Sequence, residues 1–238
     1  MKSEIFKIFE QSKVVYDDSL GIFRSRSIVD LRSRKIWDEH WLERGSPNTL
    51  FERMASFYRR AFISRLVAKY CDDHLPKRGV ILEAGSGTAD ASWRIPKRKR
   101  TFIACDISVH PLLRIKNKNI DIKLQADIFD LPLRNRVLDG IYNVGVMEHF
   151  TFDENLKILR EFRRVLKPDG VLVLFWPWKY CWVEIMSKIK PLFPPSPSMF
   201  GTFDFNDLVH KTGFEVVLVR SSPLDGFIHK VVVLKRKS

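Results

Sequence analysis

The spacing of apolar positions changes along this chain and divides it into blocks. Residues 1 to about 46 show no sustained period and predict an irregular or partly helical arm, in which Trp37 and Trp41 stand one helical turn apart. From 47 to about 76, Phe51, Met54, Phe57, Tyr58, Phe62, Leu66 and Tyr70 recur every three to four residues, which predicts a helix with one core-facing stripe. From 79 to 176 the pattern becomes a series of short apolar runs, beginning with Val80-Ile81-Leu82 and Phe102-Ile103-Ala104-Cys105. Ile122 to Ala126, Asp139 to Val144 and Val171 to Trp176 follow. Continuous runs of this kind suit strands covered on both faces, so the block predicts an α/β domain with a largely parallel sheet flanked by helices. Phe203 to Val209 then reads as a helix stopped at Gly213, followed by β-rich runs from Glu215 to Val219 and from Phe227 to Leu234.

Chemistry collects at the ends of the runs. The first run closes on Glu83 and turns through Gly85 and Gly87, residues that permit a tight turn and let a ligand approach the backbone. A strand, a glycine turn and a helix form the nucleotide crevice of open α/β sheets. Asp106 closes the second run 19 positions after Gly87 (106 − 87), where an acceptor for ribose hydroxyls is expected. Asp127 closes the third run, and the fourth leads into Gly145-Val146-Met147-Glu148-His149.

These segments together resemble the class I S-adenosylmethionine-dependent methyltransferases of small-molecule type. Glu83-Ala84-Gly85-Ser86-Gly87-Thr88 is similar to the family's glycine motif, and Cys105-Asp106-Ile107-Ser108 to its ribose-binding strand end. Gln125-Ala126-Asp127-Ile128 and Asp130-Leu131-Pro132-Leu133 resemble its adenine-side segment, and Arg160 to Gly170 the helix and turn before the fifth strand. The likeness is strong from 78 to 176 and weaker through 203 to 234. It departs at Ala89, where a third glycine is common, and at Pro96, which limits a helix after the glycine turn.

The resemblance implies a Rossmann-like, seven-stranded, mostly parallel sheet, with an N-terminal arm or lid (1–46) ahead of a methyltransferase domain (47–238). Within that domain, 79–176 is the cofactor half, 177–200 an inserted substrate lid and 214–235 the closing antiparallel strands. It also implies S-adenosyl-L-methionine as cofactor. Glu83 would meet the cofactor's amino group, with Gly85, Ser86 and Gly87 as the backbone cradle. Asp106 and Ile107 would take the ribose, Asp127 and Ile128 the adenine, and Asn143 and Val144 the methionine portion. His149 is the candidate general base, since imidazole titrates near neutrality; the alternative is that Glu148-His149 caps the next helix. Relatives that bind metal place an acid three positions before the glutamate. Gly145 stands there, so no metal is expected.

Trp37 and Trp41 of the arm and Trp178, Tyr180 and Trp182 after the fifth strand are candidates for a substrate lid. Core packing and, for the segment after Pro177, a dimer contact or a membrane-surface helix remain alternatives. Composition sharpens the choice of partner. Against 28 acidic residues stand 41 lysines and arginines, a net charge of +13 that favours anionic partners. Charge runs such as Lys97-Arg98-Lys99-Arg100 also serve simply as solvated faces. Cys71, Cys105 and Cys181 lack metal or disulfide spacing and fit a reducing compartment. No stretch approaches a membrane span, and the first ten residues lack a secretory core. The sequence therefore leads to a cytoplasmic methyltransferase for a small-molecule or lipid-like acceptor, with O-methylation resting on His149. An anionic acceptor and peripheral membrane contact fit the charge. RNA methylation and a non-catalytic binding protein are the alternatives.

Overall fold

The computed structural model describes residues 6–43, 57–178 and 200–237. Its strands in chain order are β1 (Val14–Asp17), β2 (Ile22–Ser25), β3 (Arg78–Ala84), β4 (Lys99–Asp106), β5 (Ile120–Gln125), β6 (Leu138–Val144), β7 (Leu166–Pro177), β8 (Phe214–Ser221) and β9 (His229–Arg236). The α-helices are α1 (Leu31–Glu43), α2 (Ser64–His74), α3 (Val109–Leu113), α4 (Phe152–Val165) and α5 (Phe205–Thr212). All the strands join one sheet in the order β1-β2-β5-β4-β3-β6-β7-β9-β8. The five strands β3 to β7 run parallel, and β9 and β8 close that edge antiparallel.

Both faces of the sheet are apolar because each central strand alternates between two cores. Leu82, Ile103, Leu124, Ile141, Leu172 and Leu174 pack on one face against Ile158, Leu159, Phe162 and Val165 of α4. Ile81, Phe102, Tyr142, Val173 and Phe175 pack on the other against Leu66, Val67, Tyr70 and Cys71 of α2. Continuous apolar runs are the sequence trace of this double coverage. A capping box at Thr151 and Glu154 starts α4, and Gly213 in the left-handed region (φ +70°) ends α5.

Three expectations from the sequence need correction. Among the described residues the sheet has nine strands, not seven, because the arm contributes a hairpin. Asp17 Oδ1 accepts the Ser19 hydroxyl (2.6 Å) and the Ser19 and Leu20 amides, folding the turn back on itself. β2 then pairs parallel with β5 at Phe23↔Leu124, while Phe23 stacks on Phe9 at 4.7 Å and enters the core. The helical stripe before β3 also changes phase. A π-turn at Arg59–Ile63 inserts an extra residue, so Ile63, Leu66, Val67, Tyr70 and Cys71 face inward while Phe57 and Phe62 are exposed. Phe51 and Met54 lie outside the described residues. Finally, the glycine turn is followed by successive tight turns instead of a short helix, closed by Ala89 N–H to Ser86 O (2.8 Å) and Ile95 N–H to Ser92 O (3.0 Å). Ala89 itself sits at φ +52°, a conformation an α-helix cannot continue.

Candidate functional site

The carboxyl ends of β3, β4, β5 and β6 bring most of the expected residues to one edge of the sheet. Gly85 and Gly87 follow β3 in the left-handed region, at φ +66° and +51°. A Cβ on Gly85 would lie 2.6 Å from Val146 Cγ2, and one on Gly87 would lie 3.1 Å from Trp41 Cζ2. Glycine is therefore required both by conformation and by space. Ser86 N–H donates to Cys105 O at 2.8 Å, which fastens the turn to β4.

Asp106 ends β4 buried, with Oδ2 accepting the Gly87 N–H (2.8 Å) and Oδ1 the Ser108 N–H (3.0 Å). Burial pushes its carboxyl up to about 6 despite those two bonds. Ile107 lies beside it, its carbonyl accepting from Gln125. Glu83, at the end of β3, is also buried, and its Oε2 accepts the Ser92 hydroxyl (2.8 Å) and the Tyr142 hydroxyl (3.0 Å). Desolvation raises it to about 7, outweighing both hydrogen bonds. Asp127 accepts Phe129 N–H at 3.0 Å and Asp30 N–H at 2.8 Å, and Ile128 next to it is buried in the core.

Asn143 is buried near the end of β6, one residue before Val144, and among the described residues neither amide atom has a hydrogen-bond partner. Glu148 is buried too. Its Oε2 is unpartnered, its Oε1 lies 3.7 Å from His149 Nε2, and burial raises its carboxyl above the usual range. A buried polar atom without a partner is costly, and Asn143 and Glu148 both carry such atoms at this edge of the sheet.

The arm helix α1 lies across this edge. Trp41 rests on the glycine turn, and the Trp37 ring stands edge-on to His149 with centroids 5.1 Å apart. Asp38 accepts the Ser108 hydroxyl at 2.6 Å and adds negative charge near Asp106. Asp30 caps the helix through Ser33 N–H (2.9 Å) and ties its start to Asp127. Sequence reasoning singled out the tryptophans and missed both aspartates. Asp30 carried a readable signal, an N-cap residue ahead of a helix; Asp38 shares a helix face with Trp41, three positions on. The Trp178 backbone N–H donates to Ile228 O (2.9 Å), and Lys230 Nζ stands 3.9 Å over its ring. Tyr180 and Trp182 fall outside the described residues. A second pair was not foreseen: His229 Nδ1 meets Asp225 Oδ2 at 2.8 Å, both buried.

The residues present fit an adenosyl cofactor. The turn at Gly85 and Gly87 presents bare backbone, Asp106 offers carboxylate oxygens beside it, and the orphaned Asn143 amide offers both a donor and an acceptor. Glu83, buried against Ser92 and Tyr142, is suited to a cationic amino group.

Comparison with known proteins agrees with this geometry. Residues 82–174 match the family model described as "Methyltransferase domain". A tRNA (carboxymethyluridine(34)-5-O)-methyltransferase of Arabidopsis thaliana is 34% identical over 122 residues, covering 50% of this chain and 30% of that protein. A cyclopropane mycolic acid synthase of Mycobacterium tuberculosis is 30% identical over 105 residues, covering 40% of this chain and 34% of that protein. The chain spans 30% to 56% of the length of the first curated relatives it matches. Among solved structures, the magnesium protoporphyrin IX methyltransferase of Synechocystis PCC 6803, with bound SAH, superposes with a TM-score of 0.61 at 15% identity. That match covers 87% of this chain and 98% of the other. A possible histamine N-methyltransferase of Thermotoga maritima gives 0.61 at 24% identity, covering 84% and 99%. At such identities these structures establish the fold, while the family match establishes the domain type. Residues 82–174 thus carry a methyltransferase domain, on the Rossmann-like fold of the S-adenosylmethionine-dependent class I methyltransferases.

Proposed function

We propose that this protein transfers the methyl group of S-adenosylmethionine to a nucleotide of RNA that enters beneath α1 beside His149. The observation that carries the methyl-transfer half is the joint between Asp106 and the Gly87 N–H at 2.8 Å, inside the segment that matches the methyltransferase domain. When bound, the cofactor supplies an electrophilic methyl group on a cationic sulfur. The chain then has three tasks. Gly85 and Gly87 give close backbone access, and Asp106 and Asp127 orient the nucleoside. Glu83 balances positive charge in a buried place. Trp37 and Trp41 exclude water, and His149 takes the proton of an acceptor hydroxyl at a ring nitrogen, with Glu148 at 3.7 Å offsetting the resulting charge. Alignment supplies most of the acceleration for such a displacement.

Three observations favour RNA as acceptor. The net charge of +13 attracts polyanions. A flipped base stacks well on aromatic side chains, and Trp37, His40 and Trp41 cluster on the covering helix. The relatives include tRNA methyltransferases. A small or lipid-like acceptor is the second reading. It is favoured by the close seating of Trp41 on the glycine turn and by the mycolic acid synthase relatives.

The test is methyl transfer from tritiated S-adenosylmethionine into bulk tRNA, into a lipid extract and into a small-metabolite extract. Label in nuclease-digestible RNA supports the proposal. Label only in the lipid or metabolite fraction rejects RNA and leaves the second reading. No label in any fraction, with S-adenosylhomocysteine bound at micromolar concentration, rejects both acceptors.

A further inference from the structure

At the opposite end of the sheet from the crevice, Asn135, Arg136, Arg160, Arg163, Arg164 and Arg236 line a concave pocket of about 280 Å³. Three separate parts of the fold converge there. Arg160, Arg163 and Arg164 share one face of the last turns of α4, being three and four positions apart. Arg136 precedes β6 and Arg236 ends β9. Arg164 is neutralised, its guanidinium meeting Glu161 at 2.6 Å and Glu10 at 3.3 Å. Among the described residues, no carboxylate lies within ion-pair distance of Arg136, Arg160, Arg163 or Arg236.

The fold holds these groups in place. Arg163 Nε donates to Gly213 O (3.1 Å), and Arg236 Nη1 donates to Leu166 O (2.8 Å) and Arg163 O (3.2 Å). The Arg136 backbone is held at φ +57°, with its N–H on Arg164 O at 3.0 Å. That conformation is unfavourable for a residue with a side chain and persists only where its surroundings impose it. The negative end of α4 accounts for cations at Arg163 and Arg164. It does not account for Arg136 or Arg236, which belong to other elements. Burial holds the Arg236 guanidinium below the usual range, and repulsion from Arg163 and Arg136 adds to this. Four uncompensated guanidinium groups in one concavity are a site for an anion, and arginine's planar fork matches phosphate oxygens.

We propose that this pocket grips the phosphodiester backbone of the RNA acceptor, an inference that rests on the RNA reading above. Every lining residue is an arginine or an asparagine, with no apolar side chain to enter a bilayer. Its distance from the crevice also selects the ligand. The pocket lies at the start of β6, a strand of seven residues, and the crevice lies at its end, roughly 20 Å away at about 3.3 Å per residue. One ligand reaches both only if it is a long polyanion. Phosphate contacts of this kind set register and orientation and leave the choice of base to the crevice.

The double variant Arg136→Gln/Arg160→Gln tests this. Both side chains are exposed and neither makes a hydrogen bond that the fold needs. Binding of the full chain to bulk tRNA is measured from about 50 to 300 mM salt, because log affinity falls in proportion to the number of phosphates neutralised. The variant should bind about tenfold more weakly at the low end, with a salt slope smaller by about 1 to 2. Its affinity for S-adenosylhomocysteine should not change. Arg136→Lys/Arg160→Lys should restore most of the slope. Unchanged slope and affinity in the Gln variant would overturn the pocket, and continued tRNA methylation by that variant would leave the RNA reading standing. Wild-type tRNA binding that the Gln variant loses, without methyl transfer, would keep the pocket and remove the acceptor. No tRNA binding by the wild type, or charge-dependent binding only to phosphatidylglycerol vesicles, would overturn the pocket as an RNA site.

Discussion

Glu83→Gln should make the free protein more stable while weakening its hold on the cofactor. The amide oxygen of glutamine can still accept both the Ser92 and the Tyr142 hydroxyls, so the geometry around the site is kept. What disappears is a buried charge. In the folded chain the carboxyl rises from 4.5 to about 7. Between those values the folded state binds more protons than the unfolded state, so this group's contribution to stability falls as pH rises. It is fully present below about 4.5 and lost above about 7. At 1.36 kcal/mol per pH unit, the charge costs the wild type about 3 kcal/mol at pH 8 and under about 1 kcal/mol at pH 5. The new NH2 group, placed where Oε1 stood, costs about 1 kcal/mol. Urea unfolding should therefore show the variant more stable by about 2 kcal/mol at pH 8, or about 4–8 °C in Tm, with almost no difference at pH 5. Calorimetry should show weaker binding of S-adenosylhomocysteine, by about tenfold or more, because a cationic amino group loses its counter-charge. An equal gain at both pH values would refute the buried-charge argument. Unchanged cofactor affinity would remove Glu83 from the amino-group role.

Three further outcomes are expected. Asp106→Ala should weaken S-adenosylhomocysteine binding at least about tenfold, roughly 1.4 kcal/mol. In the wild type that affinity should drop as pH falls through about 6, where the carboxylate takes up a proton, and calorimetry on the variant should show the pH dependence gone. Ala89→Gly should raise stability by about 1 kcal/mol in urea unfolding, because a residue at φ +52° is relieved of its Cβ; a loss would mean that packing of the buried methyl outweighs strain. His149→Gln should lower the methyl-transfer rate by about a hundredfold for a hydroxyl acceptor without changing cofactor affinity. An unaltered rate would assign the Glu148-His149 pair to shaping the crevice.

The parallel sheet was legible because each central strand is buried on both faces and so reads as an apolar run. The strand ends were legible for a related reason: turns at Gly85 and Gly87 and carboxylates such as Asp106 have few other uses in that order. The N-terminal hairpin was not legible. β1 and β2 are four residues each, too short to show a period, and the partner that makes β2 a strand lies far along the chain. The π-turn at Arg59–Ile63 was hidden because a one-residue shift in a helix leaves composition unchanged. The turns after Gly87 follow from the backbone at Ala89, a position at which alanine normally predicts helix. Within the candidate site, Asn143 and Glu83 were singled out from the order of motifs. Their burial, which gives them their energetic weight, depends on neighbours such as Tyr142 and Ser92.

The pairing of β2 with β5 also constrains how the chain is made. Phe23 meets Leu124, 101 residues later (124 − 23). On a ribosome adding about 5–20 residues per second, the finished hairpin waits about 5–20 s before its sheet neighbour emerges. During that interval Phe9, Ile22 and Phe23, all buried in the native protein, lack their partner strand and have Phe6, Tyr16 and each other as neighbours within the arm. The hairpin is thus made well before the strand that seats it, and α1, which follows it directly, cannot cover the crevice until the strands beneath are in place.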